Sequence, residues 1–126
     1  MSATLERDLM TPTNDERLTA IIDTLRAIRP TPLAETRRDP RASPFFADVR
    51  GLAPTLVQMG SEEICYDDGL RMAERIHAAG GRVRFEEWQG MFHTWHHYAG
   101  TLSGADEAIE AVGAWVRLLR ILDRFF

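Results

Sequence analysis

The stretch Thr55-Leu56-Val57-Gln58-Met59-Gly60-Ser61-Glu62-Glu63, read together with Arg82-Val83-Arg84-Phe85-Glu86 and Gly90-Met91-Phe92-His93-Thr94-Trp95, decides the fold. Thr55–Met59 is an apolar run of strand length, the pattern of a strand covered on both faces in a parallel sheet. Asp67 to Ala79 reads as a helix stopped by Gly80-Gly81, because glycine enters the left-handed conformation that ends helices. Arg82–Glu86 alternates polar and apolar residues, which predicts a strand exposed on one face. Strand, helix, strand is a βαβ unit, and its crossover is expected to be right-handed. Glu62 and His93, 31 residues apart, then follow the carboxyl ends of neighbouring strands. In open parallel sheets that rim is where functional residues gather.

Working outward, Ser103 with Asp106 is a capping pattern. Ala105, Ala108, Ile109, Val112, Val116 and Leu119 continue from it as one apolar stripe, so a last helix should pack across the sheet. Upstream, residues 1–12 read as unstructured or only locally ordered. Thr13 with Glu16 forms a capping box, and Leu18, Ile21, Ile22, Leu25 and Ile28 share one helical face up to Pro30. From Arg29 to Arg50 four prolines and a cluster of arginines describe a long connector. The expected division is therefore 1–50, an N-terminal helix and Pro/Arg-rich connector, and 51–126, the sheet-bearing part. No internal repeat or low-complexity tract interrupts it.

The chain has 126 residues, enough for one core-bearing domain of ordinary size. An apolar fraction of 44% and a charged fraction of 27% are those of globular proteins. The formal net charge of −4 disfavours a nucleic acid partner held by counterion release. Cys65 is the only cysteine, so no intramolecular disulfide forms. No signal-peptide pattern opens the chain, and no apolar stretch approaches the roughly 20 residues of a membrane span. A cytoplasmic protein is the default expectation.

A carboxylate and a histidine on one rim can serve as the acid and base of a hydrolytic triad. Glu62 would accept from one imidazole nitrogen and fix the tautomer, leaving the other nitrogen to take a proton from a nucleophile. Glu63 is the second candidate for the acid. The alternative is two exposed loop residues that never meet. A nucleophilic serine needs a sharp strand-to-helix turn, usually G-x-S-x-G, and Ser2, Ser43, Ser61 and Ser103 all lack it. Cys65 has no flanking cation to lower its thiol pKa and reads as a small packed residue. His93, His96 and His97 raise a metal alternative, weakened by the absence of the glutamate of H-E-x-x-H and of any further ligand cluster. Trp115 to Phe126, apolar with a narrow arginine stripe, admits an interfacial helix, although a packed terminal helix fits the pattern better.

From about Asp39 to about Leu119 the sequence resembles the C-terminal part of the hormone-sensitive-lipase-like branch of the α/β hydrolases. The resemblance is carried by Asp39-Pro40-Arg41-Ala42-Ser43-Pro44, Gly51-Leu52-Ala53-Pro54-Thr55, Gly60-Ser61-Glu62-Glu63, Asp67-Asp68 and Gly90-Met91-Phe92-His93, in that order and spacing. It implies a partial α/β-hydrolase fold: the C-terminal strand-helix-strand-helix portion of a parallel sheet, preceded by an N-terminal helix. It further implies that His93 is the catalytic histidine and Glu62 the acid, where the family usually has aspartate. The implied reaction is hydrolysis of a small-molecule acyl ester through a covalent serine intermediate, with no metal or organic cofactor. The nucleophile elbow and the oxyanion-hole segment have no counterpart in this sequence. In the order serine, acid, histidine they would precede residue 1. The chain alone is then expected to be inactive, and to self-associate through the open edge at Thr55–Met59 or to depend on a missing N-terminal half. The alternative is a non-catalytic remnant that works by binding.

Overall fold

The computed structural model describes residues 4–10, 40 and 44–124. The expected helix between Thr13 and Ile28 and most of the connector lie outside them. Three strands form one wholly parallel sheet: β1 (Arg7–Met10), β2 (Thr55–Gly60) and β3 (Val83–Trp88), in the order β1-β3-β2. Two α-helices accompany them, α1 (Tyr66–Ala78) and α2 (Ser103–Leu122), together with single 3-10 turns at Pro44–Phe46 and Trp95–Tyr98.

The βαβ unit is present as the sequence requires. β2 and β3 are neighbours in a register that runs from Thr55 opposite Val83 to Gly60 opposite Trp88. α1 ends where the glycines demand it. The Gly81 N–H reaches the Ile76 carbonyl and the Gly80 N–H that of His77, with Gly80 at φ +79°, the Schellman arrangement that satisfies the last carbonyls.

Two expectations are corrected. Residues 7–10 are a strand, with Arg7 opposite Phe85 and Met10 opposite Trp88, so β3 has partners on both sides. Nor does β3 have an exposed face, because α1 covers one side and the main core the other: Phe85, Glu86 and Trp88 are all buried. Its alternation separates two environments, since successive side chains point to opposite faces. On one face Phe85 packs edge-on to Tyr66 of α1, whose hydroxyl donates to Glu87. On the other, Trp88 joins Met91, Phe92, Trp95, Leu102, Ala105 and Ala108 in the main core.

The last helix departs from its expected role as well. It approaches the sheet through Gly104, Ala105 and Ala108, all buried. Ile109, Val112 and Val116 of the predicted stripe remain 47%, 37% and 44% exposed, so the helix packs mainly through its first turns. Its start also differs in detail. Leu102 occupies the cap position, and Asp106 reaches back to accept from the Gly100 N–H at 2.8 Å. The connector is tied to α1 where it is described, by Arg71 and Arg75 over the Phe45 ring and by Arg75 donating to the Ala47 carbonyl.

Candidate active site

The loops after β2 and β3 are fastened to each other by backbone. The Ser61 N–H donates to the Trp88 carbonyl at 3.0 Å and the Glu62 N–H to the Met91 carbonyl at 2.9 Å. The Gly90 N–H donates to Ser61 Oγ at 2.8 Å, which gives Ser61 a structural use rather than a nucleophilic one. Gly60 lies against Met91, where any Cβ would collide.

Within this clamp the chain turns tightly, the Glu63 N–H donating back to the Gly60 carbonyl at 3.2 Å. The turn sends the two carboxylates in different directions. Glu62, the expected acid, is exposed. Glu63 is carried inward, its side chain only 4% exposed, and its Oε2 lies 3.2 Å from His93 Nδ1. The hydrogen bond at His93 therefore goes to Glu63, the second of the two adjacent candidates for the acid.

An ionised carboxylate only accepts hydrogen bonds, so Nδ1 carries the proton in this pair. Burial raises the Glu63 carboxyl above its ordinary range, and the hydrogen bond from His93 opposes that shift. Its second oxygen, Oε1, is buried without a partner among the described residues, which is consistent with that desolvation.

His93 stands out of a buried segment. Met91, Phe92 and Trp95 are fully buried on either side of it, while His93 itself is half exposed. Trp95 donates from Nε1 to the Gly104 carbonyl at 3.2 Å, which ties the segment to α2. Thr94, next to His93, has φ 58°, an unusual left-handed conformation for a β-branched residue. Strained backbone of this kind clusters at functional sites.

The remaining sequence candidates are placed as follows. His96 turns inward to Gln58, and His97 is exposed. Among the described residues no group of three metal-ligating side chains forms. The Cys65 thiol is pushed up, first by burial and then by Glu63 and Asp68, which leaves it a poor nucleophile. A hollow of about 400 Å³ lined by Met10, Trp88, Ala111, Ala114 and Arg117 lies between β1 and α2, and His93 does not line it. Among the described residues no helix is long and apolar enough to cross a membrane.

A parallel sheet with a carboxylate–histidine pair at the carboxyl rim of adjacent strands is an arrangement found in α/β hydrolases. Comparison with known proteins agrees. Residues 4–97 match the family model described as the alpha/beta hydrolase fold, and the chain belongs to that family. It is 46% identical over 80 residues to an acetyl-hydrolase of Streptomyces hygroscopicus, covering 64% of this chain and 27% of that protein. An esterase of Acinetobacter venetianus is 37% identical over 81 residues, with the same coverages of 64% and 27%. Among solved structures, an esterase of the bacterial hormone-sensitive lipase family superposes with a TM-score of 0.63 at 38% identity, covering 67% of this chain and 28% of that one. The chain thus spans about a quarter of the length of these relatives.

Proposed function

We propose that this chain carries the base and acid of a carboxylic ester hydrolase, His93 and Glu63, and that the serine they activate comes from sequence outside it. The observation that carries this reading is the approach of Glu63 to Nδ1 of His93. With Nδ1–H held by the carboxylate, Nε2 is the nitrogen left to take a proton from a serine hydroxyl as its oxygen attacks the acyl carbon. The imidazolium then returns that proton to the departing alcohol, and the acyl-serine is hydrolysed by water activated in the same way. Glu63 holds the ring and stabilises its charge throughout. The substrate class, a small acyl ester, is taken from the acetyl-hydrolase and esterase relatives. No step calls for a metal or an organic cofactor.

No serine of this sequence sits in a G-x-S-x-G turn. The purified chain is therefore expected to be inactive alone and to act with a polypeptide that supplies the nucleophile and the oxyanion hole. The test is hydrolysis of a short-chain nitrophenyl ester, alone and with the part of the Streptomyces acetyl-hydrolase that the match leaves uncovered. A serine-directed inhibitor followed by intact mass locates any nucleophile. Turnover only in the mixture, lost in His93→Ala and Glu63→Ala, is the expected result. Turnover with one stoichiometric adduct on this chain alone would overturn the proposal.

A further inference from the structure

One histidine of the His93-Thr94-Trp95-His96-His97 run has a partner that the hydrolytic reading does not use. His96 Nε2 lies 2.8 Å from the side-chain oxygen of Gln58 on β2. Gln58 in turn donates from Nε2 to Glu86 Oε2 at 2.8 Å and to the Ala108 carbonyl of α2 at 3.0 Å. We propose that His96 is a positioning residue: through Gln58 and Glu86 it locks the segment carrying His93 to the middle of the sheet.

The register explains how such a chain of contacts exists. Asp8, Glu86 and Gln58 are paired across the three strands in one row. Glu86, at the centre, is 1% exposed, a place where an unsupported carboxylate would be costly. Its Oε2 is supported by hydrogen bonds, Trp88 Nε1 donating to it at 3.3 Å beside Gln58. Oε1 makes no hydrogen bond among the described residues and has only the ionic proximity of Arg84, whose Nε lies 3.0 Å from it and 2.8 Å from Asp8 Oδ2.

This surrounding fixes the direction of every bond out to His96. A carboxylate and a carbonyl only accept, so the nitrogen of the Gln58 amide must face Glu86 and Ala108, and its oxygen must face His96. His96 therefore carries a proton on Nε2. The ring also lies against Trp95, with centroids 4.0 Å apart, and Trp95 is buried. Both the hydrogen bond and the ring contact act three residues or fewer beyond His93, across the strained Thr94. With that anchor removed, the segment is free to relax at Thr94, and the approach of Nδ1 to Glu63 loses its support.

The catalytic consequence rests on His93 being the base. The test reads only the pairing, without ester, so the two readings fail separately. Nitrogen-15 NMR of the full chain gives the tautomer of His96 and the solvent exchange of the His93 Nδ1 proton. The expected results are an Nε2–H tautomer at His96, and an exchange rate on the order of tenfold faster in His96→Phe with helical circular dichroism unchanged. His96→Gln, which keeps a side-chain N–H donor, is expected to restore most of the protection. An Nδ1–H tautomer in the unsubstituted chain, or unchanged exchange in a folded His96→Phe, overturns the proposal. Should His96→Phe fail to fold, the tautomer and the His96→Gln exchange rate decide.

Discussion

Gly60 stands so close to Met91 that a Cβ at position 60 would collide with the Met91 carbonyl oxygen. The neighbour is backbone, and it belongs to the segment that delivers His93. Room for a methyl group can come only by parting the two loops. That would strain the Glu62 N–H bond to the Met91 carbonyl and the reach of His93 to Glu63. Gly60→Ala is therefore expected to cost about 1–3 kcal/mol, the range of overpacked interiors, seen as a lower urea midpoint at constant slope. It should also remove the protected His93 Nδ1 proton. A midpoint within error of the parent would mean that the loops are not clamped as described.

Glu63 supplies a pH dependence with a definite sign. Its carboxyl is raised above the ordinary value of 4.5, first by burial, with the His93 hydrogen bond opposing. A carboxyl raised by folding binds its proton more tightly in the folded chain than in the unfolded one. Its contribution to stability is thus fully present below the ordinary value and is lost as pH rises through the folded value. Glu63→Gln has no such titration. Unfolding free energies of the two proteins, measured from about pH 4 to about pH 7 across the usual carboxylate range and above it, should converge or cross in favour of the glutamine variant as pH rises. A parent that gains on Glu63→Gln with rising pH would show that attraction to His93 outweighs burial.

Thr94 is the place where backbone strain and site coincide. A β-branched residue at φ 58° pays a steric penalty that glycine avoids, against the greater freedom glycine brings to the unfolded chain. The Thr94 hydroxyl donates to the His93 carbonyl in an exposed setting, so little is lost with it. Thr94→Gly is expected to leave stability unchanged or raise it by up to about 1 kcal/mol, while the His93 Nδ1 proton exchanges faster because the segment is less constrained. Slower exchange in that variant would overturn this account of the turn.

What could be read from the sequence follows physical lines. α1 was legible because Gly80 and Gly81 mark its end, and the β2–β3 pairing because strand, helix and strand lie within one crossover. β1 was hidden because four residues, Arg7 to Met10, carry no periodicity of their own and become a strand only beside β3. Glu62 and Glu63 could not be ranked by spacing, since a single turn bond, from the Glu63 N–H to the Gly60 carbonyl, decides which carboxylate faces inward. Glu86 read as solvent-facing because alternation along one strand says nothing of Gln58 opposite it in the next. Local signals set the elements, and the polar row across the sheet depends on register.

The exposed flank of α2 bears on association. Ile109, Val112 and Val116, three and four residues apart, share one side of the helix. Glu107, Glu110 and Arg117 lie on the other flank, beside β1. The outer edge of β2 has no partner strand among the described residues, whereas β3 is paired on both sides. An open edge beside exposed aliphatic residues favours pairing with another chain. The full chain is expected to sediment as a concentration-dependent mixture of monomer and larger species. Val112→Lys with Val116→Glu should shift it toward monomer while changing stability by no more than about 0.5 kcal/mol per site, as surface substitutions do. Ala108→Leu on the same helix, at a fully buried position, is the control, expected to cost about 1–3 kcal/mol through overpacking. A parent chain that sediments as monomer at every concentration would remove self-association and leave completion by a separate polypeptide as the partner reading.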